Sequence, residues 1–275
     1  MAAPESEAAM KITQLRNATL IVQFGEIHLL VDPMLAQRGQ LPSLKFVTRS
    51  RRRNPLVELP DAAAEHLERV THCLITHCQK GHFDHLDRAA VRWLRERGTP
   101  VLCMDEDADY LRRLRLNVQV LAPDEGGTFF GGSVRAIPCL HGEGFVGRLM
   151  AHGYGYFMRI PGEPSLYLAG DTLLTDEVRK CLQELQPEIS VLPAGGAEFD
   201  IGGPIIMGQA DILAALRLSR GVVVANHLEA LDHCPVTRAG LLEAAASGQL
   251  SERLRVPLDG ETLEFHADAE GAVAA

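Results

Sequence analysis

Residues 74–87, LITHCQKGHFDHLD, place three histidines and two aspartates within fourteen positions. Imidazole nitrogen and carboxylate oxygen are the donors that zinc prefers and that manganese or iron tolerates. His82, Asp84 and His85 lie between a short apolar run, VTHCLI, and an amphipathic segment, LDRAAVRWLRERG. That is a tight turn from strand into helix, where side chains converge on one point while the scaffold stays rigid. Three donors in four residues cannot all complete one tetrahedron, so further donors must come from elsewhere in the chain.

Three candidates end later apolar runs. His141 follows VRAIPCL, Asp171 follows LYLAG, and His227 follows VVVAN. One histidine among eleven is weak evidence, because most histidines are simply hydrogen-bonded in place. Recurrence at three strand-like ends points instead to a shared metal site. His233 is a rival to His227, which is favoured because it directly ends its strand.

The elements that position these residues follow from the pattern. TLIVQFGEIHLLVDP reads as a hairpin of strands 18–24 and 27–32, ended by Asp32-Pro33. Residues 36–60 form a long excursion with scattered proline and the basic run TRSRRRNP. Strand 70–76, a helix closed by Gly98, and the strand–helix–strand series TPVLCM, DEDADYLRRL and NVQVLA imply partly parallel strands. Strands 133–139, 153–160 and 165–169 follow. Helix 173–185, strand 188–192, helix 208–218, strand 221–225, helix 237–247 and a closing strand ETLEFH complete the chain. Each half opens with antiparallel strands and ends in alternating strand and helix. The expected fold is α/β, a four-layer αββα sandwich of two mixed sheets. Residues 1–10 read as a disordered tail and 11–275 as one domain.

Composition sets limits. A formal charge of -9 argues against a general nucleic-acid binder. No apolar run approaches the ~20 residues of a membrane span. The start has no basic-then-apolar order, and the six cysteines form no CxxC pair, so a cytoplasmic protein with reduced thiols is expected. The expected partner is a small, anionic substrate, with neither nucleic acid nor membrane, and a homo-oligomer is open.

HFDHLD, LHGEG, YLAGDT and ANHLEALDH resemble, in order and spacing, the metallo-β-lactamase-fold hydrolases. They are most similar to the branch of metal-dependent hydrolases that includes the ascorbate-6-phosphate lactonases. The resemblance runs from about Ile12 to about Leu242. It implies an αββα sandwich and two divalent ions about 3.5–4 Å apart. Zinc is expected, with manganese or iron tolerated.

The family motif is HxHxDH, and its last four positions match His82-Phe83-Asp84-His85. Its first histidine should lie two residues before His82, where Lys80 stands; His77 lies five residues before. Three readings are open. A wider loop, eased by Gly81, could bring His77 into the site. The first metal position could lack a ligand, leaving one ion. Lys80 could serve as a fixed cation for an anionic substrate. His77 is kept as a provisional ligand.

By motif position the resemblance implies that Asp84, His85 and His227 hold one metal, that Asp171 bridges, and that His82, His141 and His77 hold the second. Asp32 either braces the metal loop or simply ends its strand. A bound divalent ion lowers the pKa of water from 15.7 to about 7, which makes hydroxide available at neutral pH. Asp84 is the catalytic candidate, orienting that nucleophile. His152, His233 and Tyr154 are candidate acids that no spacing separates.

The substrate is read from loops. RSRRRN, residues 49–54, either clamps an anion or is a solvated surface run. Arg148 is a second anion candidate. The glycine-rich segment 195–208, with Ile205, Ile206 and Met207, reads as a pocket wall, and Trp93 as core. The leading expectation is hydrolysis of a small anionic ester, lactone or phosphodiester. The alternatives are a phospholipid- or nucleotide-type phosphodiesterase and a degenerate member that binds without turnover.

Overall fold

The computed structural model describes residues 9–48, 51–79, 82–123, 129–150 and 152–267. Arg49, Ser50, Lys80, Gly81 and the side chain of Arg148 lie outside the described residues, so the expectations placed on them rest on sequence alone.

Period-two alternation builds the first sheet. In β2 (Thr19–Phe24), Leu20, Val22 and Phe24 face one side while Ile21 faces the other. This strand pairs antiparallel with β1 (Ala9–Arg16) and with β3 (Ile27–Val31), closing the predicted hairpin at Phe24 and Ile27. β4 (His72–Leu74), β5 (Pro100–Cys103) and β6 (Asn117–Val120) extend it in parallel. β13 (Thr262–His266), from the far end of the chain, adds to the outer edge of β1. The order is β13-β1-β2-β3-β4-β5-β6.

The second sheet comprises β7 (Ser133–Pro138), β8 (Tyr154–Arg159), β9 (Leu166–Leu168), β10 (Ile189–Pro193), β11 (Val222–Asn226) and β12 (Leu254–Arg255), in the order β12-β11-β10-β9-β8-β7. Between the sheets pack Ile12, Val22, Leu29 and Leu74 from one side and Tyr156, Leu168, Val191 and Val224 from the other. The outer faces are covered by helices. α1 (Ala63–Glu68), α2 (Arg88–Arg97) and α3 (Asp105–Arg113) lie on the first sheet; α5 (Asp176–Lys180), α6 (Gln209–Leu218) and α7 (Arg238–Ser247) lie on the second, with α4 (Gly144–Leu149) in the connection after β7. This is the αββα sandwich expected. Parallel strands covered on both faces explain continuous apolar runs such as VVVA in β11.

Local chemistry sets the ends. Asp87 caps α2 by accepting from Ala90 N at 2.7 Å, and Gly98 closes it at φ 64°. The helix expected over 173–185 begins at Asp176, because the Thr175 side chain caps it, and it ends as a π-turn over Cys181–Leu185. The tail expected over 1–10 is shorter than that: Ala9 and Met10 pair with β13, and Met10 is fully buried. Trp93 is partly buried beside α1 and carries Arg97 5.0 Å above its ring.

The excursion after β3 is pinned rather than loose. The fully buried Arg16 donates to the carbonyls of Met34, Ala36 and Val57. Asp232 accepts from Ser43 Oγ, Leu44 N, Arg52 N and Asn54 Nδ2. Of the basic run, Arg53 is taken up in donating to the carbonyls of Gly39 and Gln40. Among the described residues no helix is long and apolar enough to cross a membrane.

Candidate metal centre

All seven candidate donors come from loops at the C-terminal ends of β4, β7, β9 and β11, one edge of the sandwich. They form two sets, His77–His82–His141 and Asp84–His85–Asp171–His227, each with donor atoms within 4.8 Å of one another, and every member is buried. Asp171 Oδ2 faces both sets: it lies 3.0 Å from His85 Nε2, 3.4 Å from His227 Nε2 and 3.8 Å from His141 Nε2. Asp84 Oδ2 is 3.5 Å from both His85 Nε2 and His227 Nε2.

Backbone geometry aims these side chains. Asp32 and His227 end their strands at φ 44° and 60°, turning side chains toward the site at a left-handed position that costs most residues strain. Gly170, at φ 63°, lets the chain pass Thr76 and Tyr154 before Asp171; a Cβ there would meet Thr76 Cβ at 3.1 Å.

The five histidines share one arrangement. His77 Nδ1 is 3.0 Å from Thr76 Oγ1, whose hydroxyl proton goes to Asp32 Oδ2 at 2.6 Å. His82 Nδ1 faces the Gln79 carbonyl at 3.3 Å, and His141 Nδ1 the Ile205 carbonyl at 2.8 Å. His85 Nδ1 faces Asp32 Oδ2 at 3.0 Å, and His227 Nδ1 faces Cys234 Sγ at 3.5 Å. For His77, His82 and His141 the Nδ1–H is therefore donated outward to an acceptor, which leaves Nε2 with a lone pair toward the centre, whereas His85 meets Asp171 through Nε2. The buried Nε2 atoms of His77, His82 and His227 have no hydrogen-bond partner. Buried polar atoms of native proteins are almost always paired, so aligned orphans fit a divalent ion held by imidazole and carboxylate.

The electrostatics of the sets differ. Burial lowers the pKa of His77 and His82, and lowers that of His141 to about 4. Burial also works against charge on His85 and His227, but Asp171 and its neighbours outweigh it and raise both. Burial opposes the charge of Asp84 and Asp171 too, yet His85 and His227 hold both carboxyls well below the usual range.

The remaining candidates do not join the sets. His233 stacks on Phe199 at 5.9 Å and faces Cys234. His152 Nε2 is 3.3 Å from Asp107 Oδ2. The Tyr154 hydroxyl donates to Glu106 at 2.7 Å, a bond that raises its pKa to about 12. Sequence reasoning missed Thr76, Cys234 and the carbonyls of Gln79 and Ile205. Burial opposes the Cys234 thiolate, but His233 and His227 outweigh it and lower the thiol to about 7. No motif spacing marks any of these groups.

No protein-family model matches the chain. It is 32% identical over 259 residues to the UPF0173 protein YddR of Bacillus subtilis, covering 93% of this chain and all of YddR. Further relatives, including one from Alkaliphilus metalliredigens at 28% identity over 68% of this chain and 74% of its own, bear the name UPF0173 metal-dependent hydrolase. Among solved structures, an isothiocyanate hydrolase from Delia radicum gut bacteria superposes with a TM-score of 0.85 at 34% identity, covering 94% of this chain and 100% of that one. The metallo-β-lactamase-fold protein YhfI of Bacillus subtilis matches in fold alone, at 13% identity and a TM-score of 0.63 over 94% of this chain and 100% of that one. With a buried edge of histidine and aspartate donors on that fold, the chain belongs to the UPF0173 family of metal-dependent hydrolases.

Proposed function

We propose that the seven donors hold two divalent ions, with Asp171 between them, and that the enzyme hydrolyses small, uncharged electrophiles of the isothiocyanate type, R–N=C=S. When bound, such ions make water acidic and polarise the group under attack. The protein's own part is to aim the donors, to keep Asp84 ionised, and to present that carboxylate as an acceptor that orients the attacking water. The balance R–N=C=S + H2O → R–NH2 + COS sends both protons of the water to nitrogen. Both protons must still be relayed from the water to nitrogen, and His152, His233 and Tyr154 are engaged elsewhere.

Exposed apolar side chains on the segments that carry and back His141 support the substrate reading. Phe145 (73% exposed) stands four residues after His141, and Ile201 (84%) four before Ile205, the residue that backs His141. Asp200 accepts from Phe46 N and Val47 N, which brings two more exposed apolar side chains to the same segment. Solvent-facing apolar groups on these segments suit an apolar R group. Similarity to the isothiocyanate hydrolase supports the same reading.

A second reading, the anionic ester, lactone or phosphodiester, is favoured by another feature. Lys45 and Arg52 line a cleft of about 510 Å³ that also meets His233 and Cys234. The test loads the protein with zinc and compares benzyl isothiocyanate, a lactone and a bis-aryl phosphodiester. Metal-dependent loss of the isothiocyanate chromophore with release of amine is expected. Turnover of the anionic substrates alone would replace the first reading with the second.

A further inference from the structure

A second polar group runs along the loop edge beside the first donor set. Asp107, in the first turn of α3, is 1% exposed, and its Oδ2 lies 3.3 Å from His152 Nε2. His152 Nδ1 lies 3.1 Å from Gln79 Nε2. An imidazole donating Nε2–H to a carboxylate presents a lone pair at Nδ1, which the Gln79 amide fills, so one tautomer satisfies both contacts. Gln79 is also the residue whose carbonyl accepts from His82 N at 3.0 Å and faces His82 Nδ1 at 3.3 Å.

The neighbouring residues tighten the same connection. A Cβ on Gly153 would lie 3.6 Å from His77 Cβ and Cγ, so this segment also bounds His77. Tyr154 N donates to the Thr76 carbonyl at 3.2 Å. Asp107 is also met by the thiol of Cys78, a residue of the same connection.

The separation of His77 from His82 gives this arrangement a purpose. Four residues separate His77 from His82 where the family motif has one, and a longer connection has more conformations to lose when two donors must meet. We propose that Asp107 and His152 are positioning residues: through Gln79 they hold the lengthened connection so that His77 and His82 face one ion. The proposal rests on the reading that the first set, His77–His82–His141, holds an ion. It concerns residues outside both sets.

The test titrates the metal-free, full-length protein with zinc and counts bound ions by elemental analysis, with cobalt(II) absorption as a site-specific signature. Wild type, His152→Ala, His152→Asn, Asp107→Ala and His82→Ala are compared. Groups that back metal ligands typically contribute 10–100-fold in affinity. In His152→Ala and Asp107→Ala the ion lost in His82→Ala should bind about 10–100-fold more weakly, with the other ion unchanged. His152→Asn, whose amide can still meet Gln79, should recover part of the loss. The metal-free unfolding midpoint of His152→Ala should match wild type.

Equal affinity for both ions in wild type and His152→Ala would overturn the positioning role and leave the metal reading standing. Weakening of both ions, or a lower metal-free midpoint without recovery in His152→Asn, would make the contact merely structural. A wild type with no ion sensitive to His82→Ala would remove the metal reading, and this proposal with it.

Discussion

The two donor sets lie side by side yet are held together by opposite means. His85 and His227 each face both Asp84 and Asp171, so opposite charges offset the repulsion between the two carboxylates and help assemble this set before any ion arrives. His77, His82 and His141 carry no opposite charge among themselves; burial keeps them neutral, and their ring centres are 4.6–5.3 Å apart. Nothing within that set draws them together, so scaffold contacts from Thr76, Gln79 and Ile205 must. One set is preassembled by opposite charge, the other by its covalent and hydrogen-bonded framework.

The contrast breaks most sharply at Asp171, the anion that both halves face. Ions at such a centre contribute several kcal/mol to the transition state. Asp171→Ala is expected to lower turnover by about 10³-fold or more and to weaken both ions, as read by kinetics and elemental analysis. Loss confined to one ion would show that the halves are independent.

His77→Ala comes next. It removes a donor itself, so its cost should exceed the 10–100-fold typical of backing groups. One ion of two should be lost, with His85 and His227 still holding the other. Retention of both would return His77 to a structural role.

Asp32→Ala acts one step further out, on the acceptor behind His85 and Thr76. The ion of the carboxylate-rich set should weaken about 10–100-fold, and the imidazole set less, through Thr76.

Titration gives the smallest and most discriminating effect. His85 and His227 have raised pKa values, so an ion entering their set must displace protons at neutral pH; His77, His82 and His141 are already neutral there. Calorimetry in buffers of different ionisation enthalpy should find proton release for one ion and none for the other. In the metal-free protein the sign for His141 follows from its folded value of about 4 against an ordinary 6.5. The unfolded chain takes up the proton first, so this contribution to stability is lost as pH falls from 6.5 toward 4. The raised pKa values of His85 and His227 act the other way: their contribution is present below 6.5 and is lost as pH rises through the folded values. A monotonic metal-free stability profile across this range would contradict the opposition.

The clustering of the candidate donors was legible because short apolar runs end at His141, Asp171 and His227, and strands of one sheet end at one edge. Their backing was not. The acceptors behind His82 and His141 are backbone carbonyls, which every residue carries, and Cys234 stands seven positions from His227 without a motif. The pairing of β13 with β1 joins residues about as far apart as the chain allows, and neither strand encodes its partner. α4 begins in GEGFVG, where glycine hides any helical signal. For the loop after His77, sequence alone left three arrangements open. The structure brings a ring nitrogen of His77 within 4.8 Å of donor atoms of His82 and His141, the geometry the first of them requires.

The pinned excursion has a consequence for limited digestion. Arg51, Arg52 and Arg53 are exposed, an invitation to a protease that cuts after arginine. Yet Arg16 grips the chain before them at Met34 and Ala36 and after them at Val57, and Asp232 holds both Leu44 and Asn54. A nicked molecule should therefore migrate as two fragments on a denaturing gel while eluting from a sizing column as one intact particle.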